Sequence, residues 1–229
     1  SGPATHVEGA GTGTVVRVRH PRVALADLRV SGVGPNGSSS IADVESDEWD
    51  ARVRVAYGSG DAAVRLDNAT GSLVDGVAID TRATGVLSRY SHGVVVRDSV
   101  VRGTDEPTDG FMGTLAMYEP IVVQNTTFRG GRDGVYTHRT PGIVIRDNRM
   151  TGMRYGVHEM YTSRALVANN TVRGSIGGVA VTESADVTVR ANTFRNVQGA
   201  SVRVAGDGDP EPARNRPDPS SWGTGVTFV

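Results

Sequence analysis

The stretch Gly134-Val135-Tyr136-Thr137-His138 returns 22 residues later as Gly156-Val157-His158-Glu159-Met160, and again 22 residues on as Gly178-Val179-Ala180-Val181-Thr182. The second half of the unit also repeats, as Ile143–Met150, Ala165–Val172 and Val187–Phe194. A short fixed period indicates an array in which each unit buries its apolar face against its neighbours. The fold prediction starts from this repeat.

Working outward, the repeat extends towards both ends of the chain and divides it into segments. Coils are predicted over residues 13–204, with a cap at 1–12 and a Pro-rich tail or second cap at 205–229. Polar insertions interrupt the coils at 32–50 and 104–110. Just after the first insertion, Arg52–Tyr57 alternates with period two and is interpreted as a strand. The whole chain is therefore expected to be one domain.

A coil of this length, with several β runs and Gly or Asn corners, predicts an all-β, single-stranded, right-handed parallel β-helix of about eight coils. Leucine-rich repeats fit poorly because no coil carries their leucine spacing. Equivalent asparagines are expected to form a ladder in the turns. Equivalent apolar residues are expected to stack inside. The two sets are Asn148, Asn170 and Asn192, and Phe128, Met150, Val172 and Phe194.

The composition excludes several classes of function. The net charge is −1, so no global field attracts nucleic acid or an anionic membrane. Cysteine is absent, which excludes disulfides, thiolate metal sites and cysteine nucleophiles. No apolar run approaches the ~20 residues of a membrane span, and no segment reads as a signal peptide. The acidic run from Asp43 to Asp50 lacks an EF-hand pattern and is interpreted as a solvated loop.

The repeat also predicts which side chains lie side by side. Equivalent residues of adjacent coils stack about 4.8 Å apart. With the second position of each Gly-start strand pointing inward, the third and fifth point outward. The third positions are Leu87, Leu115, Tyr136, His158 and Ala180. The fifth positions are Arg89, Met117, His138, Met160 and Thr182.

Two methionines and two histidines thus meet on one predicted face, next to Tyr136, with Tyr118 and Tyr161 following. Thioether and imidazole are soft ligands that suit Cu(I), and imidazole also binds Cu(II). The residues predict a copper site made of Met117, His138, His158 and Met160. The alternative is that Met and Tyr fill a hydrophobic strip covered by an insertion, while the histidines make hydrogen bonds.

A polysaccharide-modifying enzyme is the other chemistry considered, because it needs paired carboxylates in a groove. The candidates are Asp109, Glu119, Asp133 and Glu159, with Arg132 and Arg139 nearby. Asp133 is expected to position the turn before its strand. Glu159 breaks the inward pattern of Thr137 and Val181, so it requires a partner if it is buried.

The blocks Gly131–Tyr136 and Arg154–Thr162, together with the opening Gly11–Val18, resemble the NosD family of copper-associated β-helix proteins of nitrous oxide reductase maturation. The resemblance covers most of residues 11–200, and Gly-Val-His-x-Met-Tyr-Thr is its most specific part. The family's His-x-Met-Tyr block corresponds here to His158, Met160 and Tyr161.

This resemblance implies a periplasmic or otherwise extracytoplasmic protein with no catalysis of its own. It implies an ABC-type ATPase and membrane subunit as partners, and a copper enzyme as the client whose metal centre is assembled. The serious alternative is a related β-helix used to bind or modify a polysaccharide, without nucleic acid as a partner in either case.

Overall fold

The computed structural model describes residues 5–36, 45–107, 111–205 and 226–228. Within these ranges the chain winds through three parallel sheets, A, B and C, each with eight strands. Successive strands along the chain belong to different sheets, and each strand pairs with the equivalent strand of the next coil. The predicted parallel β-helix is confirmed.

The strands of sheet A, in order along the axis, are β1 (Thr5–Glu8), β4 (Leu28–Ser31), β7 (Ala78–Asp80), β10 (Val100–Arg102), β13 (Thr127–Arg129), β16 (Arg149–Thr151), β19 (Thr171–Arg173) and β22 (Thr193–Arg195). Those of sheet B are β2 (Val16–Val18), β5 (Ala62–Asp67), β8 (Thr84–Arg89), β11 (Met112–Met117), β14 (Asp133–His138), β17 (Tyr155–Met160), β20 (Gly177–Thr182) and β23 (Val202–Ala205). Those of sheet C are β3 (Ala24–Ala26), β6 (Leu73–Asp75), β9 (Val94–Arg97), β12 (Ile121–Gln124), β15 (Val144–Arg146), β18 (Leu166–Ala168), β21 (Val187–Arg190) and β24 (Val226–Phe228).

The interior of the solenoid is a continuous apolar core. The predicted stack is present, because Phe128 pairs in register with Met150, Met150 with Val172, and Val172 with Phe194. Inward valines of sheet B, such as Val135 and Val157, belong to the same core. Burying one such side chain contributes about 1.5–3 kcal/mol. Each coil therefore gains its stability from the coils above and below it.

The predicted asparagine ladder is also present. Asn148 donates from its backbone and its side chain to Asn170 Oδ1, at 3.0 Å each. Asn170 repeats both bonds to Asn192 at 2.9 and 3.0 Å, and its Nδ2 also donates to the Ile145 carbonyl. These amides satisfy the buried backbone groups of the turn between sheets C and A. The ladder fixes the register of three successive coils.

Six of the eight sheet B strands, β5, β8, β11, β14, β17 and β20, are followed by a left-handed residue that is not glycine. Six successive coils carry a positive φ, between 48° and 74°, at the position after the strand. The six residues are Asn68, Tyr90, Tyr118, Arg139, Tyr161 and Glu183. Only Asn adopts this conformation readily among them. The turn holds bulky side chains here at a cost in backbone energy.

The first insertion differs from the prediction, since Arg52–Tyr57 lies not in a strand but in and just after the helix α1 (Trp49–Ala56). Val53, Ala56 and Tyr57 are buried, whereas Arg54 and Val55 are exposed. The spacing i, i+3, i+4 of the buried residues is that of one helical face. Glu48 provides no side-chain cap, so α1 depends on packing against sheet B.

The remaining segments are described in part. Residues 5–8 of the predicted cap form β1, which pairs with β4. Residues 37–44 and 108–110 of the insertions, and 206–225 of the tail, lie outside the described residues, as does Asp109. In the part of the chain that is described, no helix has the length and apolarity to cross a membrane.

Candidate metal site

The two outward columns of sheet B have the register predicted from the repeat. Met117 pairs with His138, His138 with Met160, and Met160 with Thr182. In the neighbouring column Tyr136 pairs with His158. The structure therefore brings Met117, His138 and Met160 together on three adjacent strands.

These columns are outside the solenoid but not exposed to solvent. Helix α1 lies over them, and Val53, Ala56 and Tyr57 form one apolar cluster with Met117 and Met160. Met117 and His138 are fully buried, and Met160 retains 8% of its exposure. The hydrophobic strip covered by an insertion, given above as the alternative to the copper site, is thus present around the predicted ligands.

His138 lies between two tyrosines from the left-handed turn positions. Its ring is 6.1 Å from the Tyr118 ring and 5.8 Å from the Tyr161 ring, nearly perpendicular to both. Tyr118 stacks on Tyr90 at 4.8 Å, and the Arg139 guanidinium lies 5.1 Å from the Tyr161 ring. The positive φ of these turns directs the tyrosines beside the histidine.

Met160 accepts a hydrogen bond from Tyr136, whose hydroxyl lies 2.9 Å from the sulfur. Tyr136 is fully buried and packs edge-on against Tyr57 of the covering segment at 5.4 Å. Burial raises the pKa of Tyr136 well above its usual range, so the hydroxyl stays protonated and remains a donor. The Met160 sulfur is therefore oriented by a neutral partner.

His158 belongs to a polar network in the neighbouring column. Its Nδ1 lies 3.1 Å from Arg154 Nη2 and 3.5 Å from Asp133 Oδ2, and its Nε2 lies 3.4 Å from Thr182 Oγ1. Burial lowers the pKa of His158, although the hydrogen bond to Asp133 acts in the opposite direction. Both ring nitrogens of the fourth predicted ligand thus have protein neighbours.

Asp133 and Arg154 form the ion pair at the centre of this network, with Arg154 Nη2 2.5 Å from Asp133 Oδ2. Burial alone raises the pKa of Asp133. The hydrogen bond from His158 and the attraction of Arg154 outweigh it and bring the pKa to about 2. Asp133 was expected to position its turn, and its pairing with Arg154 was not predicted. The 22-residue register, which places residue 133 opposite residue 155, is the signal that locates it.

The three described carboxylates of the enzymatic alternative lie in different environments. Glu159 is buried inside the solenoid and accepts a hydrogen bond from Thr137 Oγ1 at 2.5 Å. Asp133 contacts the outward column, as described, and Glu119 lies 3.3 Å from His92 on the surface. Burial raises the pKa of Glu159 to about 7, and the Thr137 and Thr162 hydroxyls only partly oppose this. The three groups do not form an acid–base pair.

The donor set around His138 restricts the kind of metal that fits. Across the described residues no group of three or more His, Cys, Asp and Glu side chains is arranged to hold a metal ion. The Met117–His138–Met160 column instead provides two thioethers and one imidazole. These are neutral, soft donors, and they fit Cu(I) rather than Zn²⁺, Ca²⁺ or Mg²⁺.

One protein-family model matches part of the chain. The model of the family described as "Periplasmic copper-binding protein (NosD)" matches residues 114–209, which is less than half of the 229 residues. The matched part contains all four predicted metal ligands. The resemblance stated from the sequence is confirmed over this part of the chain. No curated protein sequence matches the chain significantly.

Two solved structures align with most of the chain. The crystal structure of PfbA, a surface adhesin of Streptococcus pneumoniae, aligns with a TM-score of 0.59 at 12% identity, covering 90% of this chain and 62% of that one. The enzymatically active domain of tailspike protein 2 from bacteriophage CBA120 aligns with a TM-score of 0.46 at 8% identity, covering 88% and 37%. This chain spans less than two thirds of the adhesin structure, and at these identities the adhesin shows the fold alone.

Proposed function

We propose that this protein handles copper outside the cytoplasm and that Met117, His138 and Met160 hold Cu(I). One observation carries the proposal: these three side chains are consecutive cross-strand neighbours buried beneath α1. The match of residues 114–209 to a family described as periplasmic and copper-binding supports it.

The geometry and the chemistry of the column both fit a monovalent soft ion. Neighbouring parallel strands are about 4.8 Å apart, so three long side chains on one face can converge on a point above the middle strand. All three ligands are neutral, and the surroundings are apolar and largely closed to water. A buried charge costs more free energy as it grows, which favours Cu⁺ over Cu²⁺ in such a site. Bound copper here is cargo to be stored or passed on.

His158 is the predicted ligand that the geometry favours least, and we propose that it positions the site instead. Its ring packs against Tyr136 with centroids 4.9 Å apart, and the Tyr136 hydroxyl holds the Met160 sulfur. The Asp133–Arg154 pair fixes His158 in turn. His158 therefore orients Met160 through Tyr136.

The partners follow from the family resemblance and belong to the proposal. An ABC-type ATPase with a membrane subunit is the expected partner, and a copper enzyme similar to nitrous oxide reductase is the expected client. The protein itself is proposed to act without catalysis, by supplying copper to the client's metal centre. Co-purification of the tagged protein with such a membrane complex from native membranes is the direct check.

The metal site is tested by anaerobic titration of Cu(I) against a chromophoric Cu(I) chelator of moderate affinity. One-to-one binding is expected, and His138→Ala combined with Met160→Ala should abolish it. Met117→Leu and Met160→Leu should each weaken it by at least about tenfold, because each removes one of three ligands. Met153→Leu is the matched control, since Met153 is a buried methionine of the solenoid interior.

The same titration distinguishes the proposed ligand role of His138 from the proposed positioning role of His158. His158→Gln should keep the one-to-one stoichiometry and change affinity less than His138→Ala does. Failure of the wild-type protein to compete with the chelator would contradict the copper proposal. The carbohydrate alternative would then take its place. That alternative is a β-helix that binds or modifies a polysaccharide; Asp133, Glu159 and Glu119 lie in different environments, which favours binding over cleavage by these three groups.

A further inference from the structure

A line of arginines crosses the outer face of sheet A, away from the candidate metal site. The five sheet A strands β10, β13, β16, β19 and β22 each have three residues, with the middle one inward and the outer two on the outer face. The ten outer positions comprise five arginines, four threonines and one valine, and no acidic residue. The arginines, one on each strand, are Arg102, Arg129, Arg149, Arg173 and Arg195.

The five arginines are continuous from strand to strand. Arg102 pairs directly with Arg129, and Arg173 with Arg195. Arg149 is in the adjacent outer column and is diagonal to both Arg129 and Arg173. Direct neighbours are about 5 Å apart and diagonal ones about 7–8 Å. The path thus runs for about 19 Å along the solenoid axis, with one guanidinium per coil.

This arrangement differs from that of several arginines on the other two sheets. On sheet C, Arg97 binds Asp75 of the preceding coil at 2.6 Å, and Arg146 binds Gln124 at 2.7 Å. On sheet B, Arg65 and Arg89 share Asp67. These four arginines each have a side-chain acceptor on their own strand or on the preceding coil.

Along the arginine path of sheet A, only the first arginine, Arg102, has such a partner among the described residues. Arg102 reaches Asp80 at 3.6 Å, but Arg129, Arg149, Arg173 and Arg195 form no ion pair with any described residue. Like charges on directly opposed residues destabilise a sheet. Two such pairs on one face are a stability cost that an anionic ligand would remove.

We propose that this arginine path binds a linear acidic polysaccharide lying parallel to the solenoid axis. Arginine forks match carboxylates in two-point hydrogen bonds, and one guanidinium per coil suits a polymer with regularly repeated carboxylates. The threonines between the arginines offer hydroxyls to the sugar hydroxyls. At its Arg102 end the path meets a cleft of about 600 Å³ shared with Asp80 and Arg82, which can enclose the end of a chain.

Other polyanions fit this face less well. No aromatic side chain occupies the ten outer positions, so single-stranded nucleic acid finds no surface for base stacking. One file of arginines matches a single extended chain better than a broad lipid surface.

The test uses polygalacturonate, a linear polymer with one carboxylate per sugar, and dextran as its neutral counterpart. Replacing Arg129, Arg149, Arg173 and Arg195 together by Gln should weaken polygalacturonate binding by at least about tenfold. The matched control replaces four exposed arginines elsewhere, Arg17, Arg19, Arg164 and Arg190, by Gln and should change binding by less than about twofold. Dextran should not bind.

Two further arms keep the outcome decisive. The double variant Arg129→Lys with Arg173→Lys keeps the charge and should lose part of the polygalacturonate affinity. It provides the test if circular dichroism shows that the fourfold Gln variant is unfolded. Anionic phospholipid vesicles and single-stranded DNA should compete poorly with the polymer. Equal losses in both fourfold variants, no binding by the wild type, or stronger competition by vesicles or DNA would each overturn the proposal.

The inference is independent of the copper proposal. The sheet A variants should leave Cu(I) binding unchanged, and His138→Ala should leave polygalacturonate binding unchanged. Either function can therefore fail while the other stands.

Discussion

Glu159 makes the stability of the solenoid depend on pH in a direction that can be calculated. It is fully buried in the interior, and its Oε1 has no hydrogen-bond partner within the described structure. Burial raises its pKa from 4.5 to about 7. The folded state therefore retains a proton on Glu159 that the unfolded state has already released between these two pH values.

The sign and size of the effect follow by linkage. A raised carboxyl pKa makes the folded state bind more protons, so the free energy of unfolding falls as pH rises from about 4.5 to above 7. A shift of this size corresponds to about 3 kcal/mol at 1.36 kcal/mol per pH unit. Glu159→Gln keeps the shape of the side chain but cannot ionise. Relative to that variant, the wild type should lose about 3 kcal/mol between pH 4 and pH 9.

Urea unfolding at a series of pH values measures this difference. His158 has a lowered pKa and contributes the opposite slope, since its stability contribution is lost as pH falls through 6.5. Subtracting the free energy of unfolding of Glu159→Gln from that of the wild type at each pH cancels the His158 contribution, which the wild-type profile alone still contains. Glu8→Gln, at an exposed carboxyl, is the control and should retain the wild-type slope. A difference that stays flat from pH 4 to pH 9 would refute the reasoning.

Three other perturbations have expected outcomes. Asn170→Ala removes the middle of the asparagine ladder and should lower the free energy of unfolding in urea by about 2–3 kcal/mol. Thr171→Ala on the outer face should lower it little, and equal losses would contradict a structural role for the ladder. Arg154→Met leaves Asp133 buried with His158 as its remaining partner and should cost about 3 kcal/mol near neutral pH. The cost should be smaller at acid pH, where Asp133 takes up a proton, and a cost that does not change with pH would argue against the ion pair. Val53→Asp places a charge between α1 and sheet B, so hydrogen peroxide should oxidise Met117 and Met160 faster, as measured by mass spectrometry. Val55→Asp, at a position 53% exposed, should leave the oxidation rate unchanged, and Met150 should stay protected in both variants.

The solenoid could be predicted from the sequence because its information is local and repeated. The Gly-Val starts 22 residues apart determine which residue opposes which. His138 was therefore correctly placed beside Met117 and Met160 without any knowledge of distances. The asparagine ladder and the Phe128–Phe194 stack follow from the same register.

Helix α1 could not be predicted in this way because nothing repeats it. Alternation over Arg52–Tyr57 spans six residues, and a run that short fits a strand or one helical face equally well. The choice is made by tertiary contact, since Val53, Ala56 and Tyr57 find an apolar strip on sheet B only once the solenoid has formed. The surroundings of His158 could not be predicted either, because its bonds to Asp133 and Arg154 depend on side-chain directions at a turn.

The strict register of the coils also fixes the length of the arginine path by the number of coils. Coils stack without lateral drift, so inserting or deleting one 22-residue unit changes the length of the arginine path by one strand spacing, about 4.8 Å, and leaves every other column aligned. Tandem duplication of a short stretch of gene can therefore lengthen the path by one guanidinium in a single event. Chains of this kind that differ by whole coils should differ stepwise in the length of polymer they select, while the three-strand column around His138 keeps its size.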